Sequence, residues 1–136
     1  MISTHQQTSI DTQSALRAAE LAIKHGAEAG VAISVAIVDP AMELVVFAKA
    51  VGATPHSALT SRAKANTAAS TRRDTGWMGP ELDPAIALAT SGRLTNIAGG
   101  VPITVNDTVV GALGVAGGTP AQDAEVATEA IAELAE

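Results

Sequence analysis

The sequence contains no cysteine and no tyrosine, and its aromatic residues are a single Phe47 and a single Trp77. Without cysteine there is no disulfide framework, no thiolate nucleophile, no iron–sulfur cluster and no cysteine-ligated zinc. Two aromatic side chains cannot form a platform on which nucleobases stack. No apolar run reaches the roughly 18 residues of a membrane-spanning helix, so the sequence predicts that the protein does not enter a membrane.

Basic residues are also scarce: eight Lys and Arg stand against fourteen Asp and Glu among 136 residues, a net charge of −6. Such a chain repels polyanions, so we expect no nucleic-acid partner. Hydrophobic residues make up 47% of the chain and charged residues 16%, a composition that excludes disorder. We expect one domain over residues 1–136, with residues 1–8 flexible. The start of the chain has no basic segment followed by an apolar one, which favours a cytoplasmic protein.

So few charges on so small a domain are expected to leave apolar patches at the surface. Such patches usually mark interfaces, so the composition predicts a homo-oligomer, closed by symmetry as most are. The alternative is that alanine supplies much of the apolar count and is harmlessly exposed. The composition therefore predicts a second copy of the chain as a partner.

Hydrophobic periodicity predicts the order helix, hairpin, two helices, hairpin, helix. Thr8 or Ser9 is expected to cap the first helix, Asp83 the third and Thr119 the last. The predicted elements are helix 10–29, strands 32–38 and 43–48, helix 56–75, helix 83–90, strands 101–105 and 109–115, and helix 120–134. Two hairpins so far apart must share one sheet to be stable. The pattern therefore predicts one antiparallel sheet flanked by helices.

Basic side chains and glycines supply the candidate ligand-binding residues, which are His56, Lys64, Arg72, Gly99 and Gly100. His56 opens the second helix, whose first N–H groups favour an anion. Lys64 and Arg72 are eight residues apart and so lie near one helix face, which either holds a carboxylate or is solvated and paired with acidic residues. Gly99 and Gly100 either let the backbone approach a ligand or serve strand geometry.

Other polar residues have a simpler structural interpretation. His5 lies in the N-terminal tail, and His25 lies near the end of the first helix, where a positive charge suits the helix dipole. Asp123 is interpreted as a residue of the opening turn of the last helix, and Asp39 as one that shapes its turn. The sequence has no phosphate loop, no dinucleotide fingerprint and no spacing typical of a metal site.

Several segments occur in an order that resembles a known family. They are Asp39 after a strand, Gly52-Ala53-Thr54-Pro55, Lys64 within residues 61–65, Gly99-Gly100-Val101-Pro102-Ile103, residues 110–118, and Gln122-Asp123. The chain resembles the GlcG/HbpS family, which includes the haem-binding C-terminal module of some cobalamin adenosyltransferases. The resemblance extends from about Ser9 to Leu134.

The resemblance implies a profilin-like α/β sandwich with a five-stranded antiparallel sheet, commonly assembled into homo-oligomers. It also implies haem as a ligand, since some members bind or degrade haem. Two positions depart from the family pattern. Met42 occupies a turn position where relatives usually have glycine, and the first strand opens with Val31-Ala32-Ile33, without the histidine expected of a haem ligand.

The sequence is compatible with three functions. The first is a small-ligand-binding protein that takes haem or another carboxylate-bearing ligand, with His56 the preferred axial ligand. The second is a cofactor-independent enzyme that acts on a small oxo- or hydroxy-acid. It would use Lys64 or Arg72 to hold the carboxylate and His56 as acid or base. The third is a structural oligomeric accessory protein.

Overall fold

The computed structural model describes all 136 residues and contains four helices and four strands in the predicted order. The elements are α1 (Thr12–Glu28), β1 (Ser34–Val38), β2 (Leu44–Lys49), α2 (Ser57–Thr71), α3 (Asp83–Ala89), β3 (Gly100–Val105), β4 (Thr108–Ala116) and α4 (Pro120–Leu134). None of the helices is both long enough and apolar enough to cross a membrane.

The four strands form one antiparallel sheet in the order β2-β1-β4-β3. The two hairpins join where β1 pairs with β4, from Ser34 opposite Ala116 to Val38 opposite Ala112. The antiparallel α/β class is therefore confirmed, but the expected fifth strand is wrong. Only the family resemblance implied that strand; the sequence contains two hairpins, and these supply four strands.

Helix termini correct some of the sequence predictions. The carboxylate of Asp11, rather than Thr8 or Ser9, caps α1 by accepting the N–H of Ser14. Hydrogen bonds from the backbone and side chain of Ser14 lower the pKa of Asp11. Asp83 is the first residue of α3 and not its N-cap. The prediction for Thr119 is confirmed, because it forms a capping box with Gln122.

Two turns use left-handed backbone at residues other than glycine. Asn106 and Asp107, at the predicted two-residue hairpin turn, have φ of 50° and 63°, as a type I′ turn requires. Met42 has φ of 65° in the first hairpin turn. Asp39 holds that turn as predicted, because its Oδ1 accepts the N–H groups of Ala41 and Glu43.

The sheet has a helix layer on each face. One face packs against α1 and α4 in a core of fifteen buried residues that includes Leu21, Ile37 and Leu113. The other face carries α2 over a layer made mostly of alanine, with Ala36, Val38, Ala65, Ala68, Ala69 and Ala112. Small side chains let α2 lie close to the sheet. Because α2 lies close to the sheet, the Lys64 side chain reaches the end of β4, where its Nζ bonds the carbonyl oxygen of Val115.

Large apolar side chains remain exposed on this chain. They include Leu44, Phe47, Val51, Leu59, Leu88 and Ile97. Exposed apolar surface of this kind is what the predicted homo-oligomer would cover. Assembly into a homo-oligomer stays a prediction.

Candidate functional site

A cleft of about 350 Å³ lies between the N-termini of α2 and α4. Eleven residues line it, of which two are hydrophobic: Thr54, His56, Ser57, Thr60, Lys64, Ile97, Ala116, Gly117, Gly118, Pro120 and Asp123. Two of the predicted site residues, His56 and Lys64, thus lie in one cleft. Its polar lining suits a small polar ligand better than an apolar one.

Lys64 and Asp123 form a buried ion pair in this cleft. Each side chain is 2% exposed, and Lys64 Nζ lies 2.9 Å from Asp123 Oδ2. Nζ also donates to the carbonyl oxygen of Val115 at 2.9 Å, and Asp123 Oδ1 accepts the N–H of Gly118 at 2.8 Å. Lys64 therefore ties α2 to both the end of β4 and the start of α4.

From the sequence, Asp123 is interpreted only as a residue of the opening turn of α4, but the structure gives it a second role. It is the buried partner of Lys64. A signal for this was present in the sequence: Asp123 begins the series Asp123, Val126, Ala127 and Ala130, whose spacing of three and four forms the buried stripe of α4. A carboxylate on a buried stripe requires a cation or hydrogen-bond donors.

Burial lowers the pKa of the Lys64 ammonium, and the neighbouring Asp123 carboxylate opposes that shift. An ammonium group has three N–H donors, and two of them are used by Val115 and Asp123. The third donor has no partner within the protein, and Lys64 is one of the residues that line the cleft.

The N-terminus of α2 lacks a side-chain cap, although the N–H groups of Ser57 and Leu59 bond backbone carbonyls, whereas that of α4 is closed by its capping box. His56 occupies the N-cap position of α2, is exposed, and makes no side-chain capping bond. The first-turn N–H of Ala58 has no acceptor within the protein. Free N–H groups at a helix start carry partial positive charge. This end of the cleft therefore favours an anion.

Arg72 does not lie with His56 and Lys64. It terminates α2 with φ of 59° and lines open cavities beside Arg73 and Trp77. Since α2 has 15 residues, its two ends are about 22 Å apart. Eight-residue spacing put Lys64 and Arg72 near one helix face, but distance along the axis separates them.

Gly99 and Gly100 lie behind Lys64 instead of lining the cleft. A Cβ on Gly99, which has φ of 131°, would come within 2.9 Å of Lys64 Nζ. A Cβ on Gly100 would collide with the backbone of Lys64. Both glycines therefore make room for Lys64. The glycines that do line the cleft are Gly117 and Gly118.

His25 has the structural position expected of it, on the side where α1 meets α4. Its ring nitrogens lie 3.1 Å from a Glu129 oxygen and 2.9 Å from a Glu133 oxygen. Lys24 also binds Glu133, at 3.1 Å. Hydrogen bonds from Lys24 and His25 lower the pKa of Glu133. His25 and Glu129 line a separate small cavity on the α1–α4 side, apart from the cleft.

Residues 10–132 match the family described as haem-degrading protein HbpS-like. The chain belongs to this family. Protein GlcG of Escherichia coli K12 is 39% identical to this HbpS-like chain over 84 residues, which cover 61% of the chain and 63% of GlcG. The match thus spans less than two thirds of that relative. The resemblance to the GlcG/HbpS family is confirmed.

Solved structures extend the likeness over nearly the whole chain. Klebsiella pneumoniae protein ORFY, of the family DUF336, superposes with a TM-score of 0.92 at 27% identity, covering 99% of this chain and 97% of ORFY. A double mutant of Streptomyces reticuli HbpS superposes with a TM-score of 0.86 at 30% identity, covering 96% of this chain and 90% of HbpS. The HbpS-like fold is therefore shared along its full length.

Proposed function

We propose that this HbpS-like chain is a small-ligand-binding protein whose cleft holds the carboxylate group of its ligand. The observation that carries the proposal is Lys64, a buried ammonium among the cleft-lining residues, one of whose three N–H donors has no partner within the protein. Asp123 is the only carboxylate among the lining residues, and Lys64 neutralises it. An incoming anion therefore meets little repulsion, although the whole chain carries −6.

The open start of α2 supports the same ligand class. Its uncapped first turn and the exposed His56 lie on the wall of the cleft opposite α4. A carboxylate there would accept a first-turn backbone N–H hydrogen bond, as a capping side chain does in other helices. A volume of about 350 Å³ is at the small end of ligand sites. A small organic acid is the ligand that these dimensions favour.

Haem is the second candidate, suggested by the description of the family. Two lining residues fit the polar parts of haem. His56 is the one lining residue of a type that commonly ligates haem iron, and Lys64 can hold a propionate. The macrocycle fits poorly, because Ile97 and Ala116 are the hydrophobic lining residues and a large apolar ring needs apolar walls. The cleft of a single chain therefore suits a small acid better than haem.

Changing the charge at residue 56 tests carboxylate binding. We expect His56→Asp to weaken binding of L-lactate at least tenfold, about 1.4 kcal/mol, because a carboxylate at the N-cap occupies the anion position and repels the ligand. His56→Ala should weaken it by less. Binding is measured by NMR titration, following the amides of Gly117 and Gly118.

The matched control is His25→Ala, which changes a histidine outside the cleft and should leave lactate affinity unchanged. If lactate shifts no cleft amide in the wild-type protein, the proposed function is wrong. Equal weakening by the His25 and His56 variants would also contradict it, because the effect would then not be local to the cleft.

A hemin titration followed by absorbance tests the haem candidate. If haem is the ligand, His56→Ala should remove the Soret band of histidine-ligated iron, whereas His25→Ala should keep it. The physical reason is that His56 lies in the cleft, while both ring nitrogens of His25 face glutamates. Loss of the band in the His25 variant alone would show that iron is ligated elsewhere.

A further inference from the structure

We propose that Lys64 condenses with a 2-oxo acid bound in the cleft, forming an imine between Nζ and the oxo carbon. The inference rests on the proposed function, since the cleft must first bind the carboxylate of that acid. It adds a covalent step and narrows the ligand class to acids that carry a carbonyl group next to the carboxylate.

The position of Nζ favours this reaction. Two hydrogen bonds of 2.9 Å, to Val115 O and Asp123 Oδ2, hold the amine at the inner wall of the cleft. Lys64 is 1% exposed and is one of the residues that line the cleft. A carbonyl carbon that enters the cleft with its carboxylate at the start of α2 meets the one side of Nζ that is not already hydrogen-bonded.

Asp123 can act as the general base and then the general acid of the condensation. Its Oδ2 accepts a proton from the Lys64 ammonium. Rotation about the Cε–Nζ bond turns the freed lone pair away from Asp123, and this lone pair attacks the oxo carbon. The carbonyl oxygen then takes up two protons, the one that Asp123 accepted and a second from Nζ, and leaves as water. The ammonium and the oxo acid thus become a protonated imine and one water molecule. The exposed imidazole of His56 is the lining group that can relay a proton to the departing oxygen.

Lys64 differs from the other lysines of the chain in ways that matter for reactivity. The chain has three lysines, and Lys24 and Lys49 are exposed. Burial lowers the pKa of Lys64, so its neutral amine is more available near neutral pH than that of a solvated lysine. A purely structural role for the Lys64–Asp123 ion pair would explain why Lys64 is buried. It would not require Lys64 to line a cleft.

Reductive trapping with pyruvate tests the inference on the wild-type protein. Pyruvate and sodium cyanoborohydride are added at neutral pH, and the modified residue is found by peptide mapping. We expect a single adduct on Lys64, in excess over Lys24, Lys49 and the amino group of Met1. L-lactate lacks the carbonyl, so it should form no adduct and should protect Lys64 from pyruvate. Absence of an adduct on Lys64, or an adduct spread evenly over all amines, would overturn the proposal.

The lactate titration separates this inference from the proposed function. If lactate binds in the cleft but pyruvate is never trapped on Lys64, the imine is refuted and carboxylate binding stands. If neither acid binds, both are refuted. Lys64→Arg keeps the positive charge but cannot form the imine, so it should trap no pyruvate at residue 64. Should that variant fail to fold, the wild-type peptide map still decides the question.

Discussion

Replacing Lys64 with methionine is expected to lower the free energy of unfolding by about 3–5 kcal/mol, since removing one partner of a buried ion pair leaves an uncompensated charge. In Lys64→Met the Asp123 carboxylate stays buried without its cation, and the Val115 carbonyl oxygen loses its donor. The effect is measured by urea or guanidinium denaturation at pH 7, with the slope of the transition checked for constancy.

A double variant provides the control for this prediction. Lys64→Met combined with Asp123→Asn removes both charges and keeps a side-chain oxygen for the N–H of Gly118. It should recover most of the stability lost in the single variant, because neutral groups of similar size often replace a buried ion pair at little cost. A loss below about 1 kcal/mol in Lys64→Met would match an exposed pair and contradict the burial of Lys64.

Gly114→Ala is expected to destabilise the protein by about 3 kcal/mol or more, at the upper end of overpacking effects. A Cβ at Gly114 of β4 would collide with the carbonyl oxygen of Ser61 and lie 2.5 Å from the amide nitrogen of Ala65. Both obstacles are backbone atoms of α2 and cannot rotate away. The helix would have to move off the sheet, which would also displace Lys64. Thermal and chemical denaturation measure the change.

Gly79→Ala is the matched control for the glycine at the helix–sheet contact. A Cβ at Gly79 would have no atom within 4 Å, and the backbone of Gly79 is not in the left-handed region. The same chemical change there should leave stability unchanged or raise it slightly, because alanine reduces the freedom of the unfolded chain. Similar losses at both positions would show that close approach of α2 to β4 is not the cause.

The order of the elements follows from local patterns in the sequence. β-branched runs such as residues 34–38 and the Asn106-Asp107 turn define their hairpins through contacts between near neighbours. The same is true of the capping box at Thr119, whose partner Gln122 is three residues away. These features depend on short-range hydrogen bonds and steric preferences, which any stretch of sequence displays directly.

The path of the sheet required long-range information. Pairing of β1 with β4 joins residues about eighty positions apart, and no local pattern specifies it. The fifth strand was expected from relatives and not from any segment of this chain. The prediction that Arg72 lies in the same site as His56 and Lys64 is wrong for a related reason. Helical periodicity shows which residues share a face of α2, but not how far apart they lie along its axis.

The candidate site shows the same division at the level of single residues. From the sequence, His56 could be placed at a helix start and Lys64 on a helix face, because both depend on local position along α2. Only the tertiary structure brought Asp123 to Lys64 across 59 positions and turned Gly99 and Gly100 toward that side chain. Periodicity marks Asp123 as buried, but its partner is chosen by how α4 and α2 pack around the end of β4, a contact that no local pattern encodes.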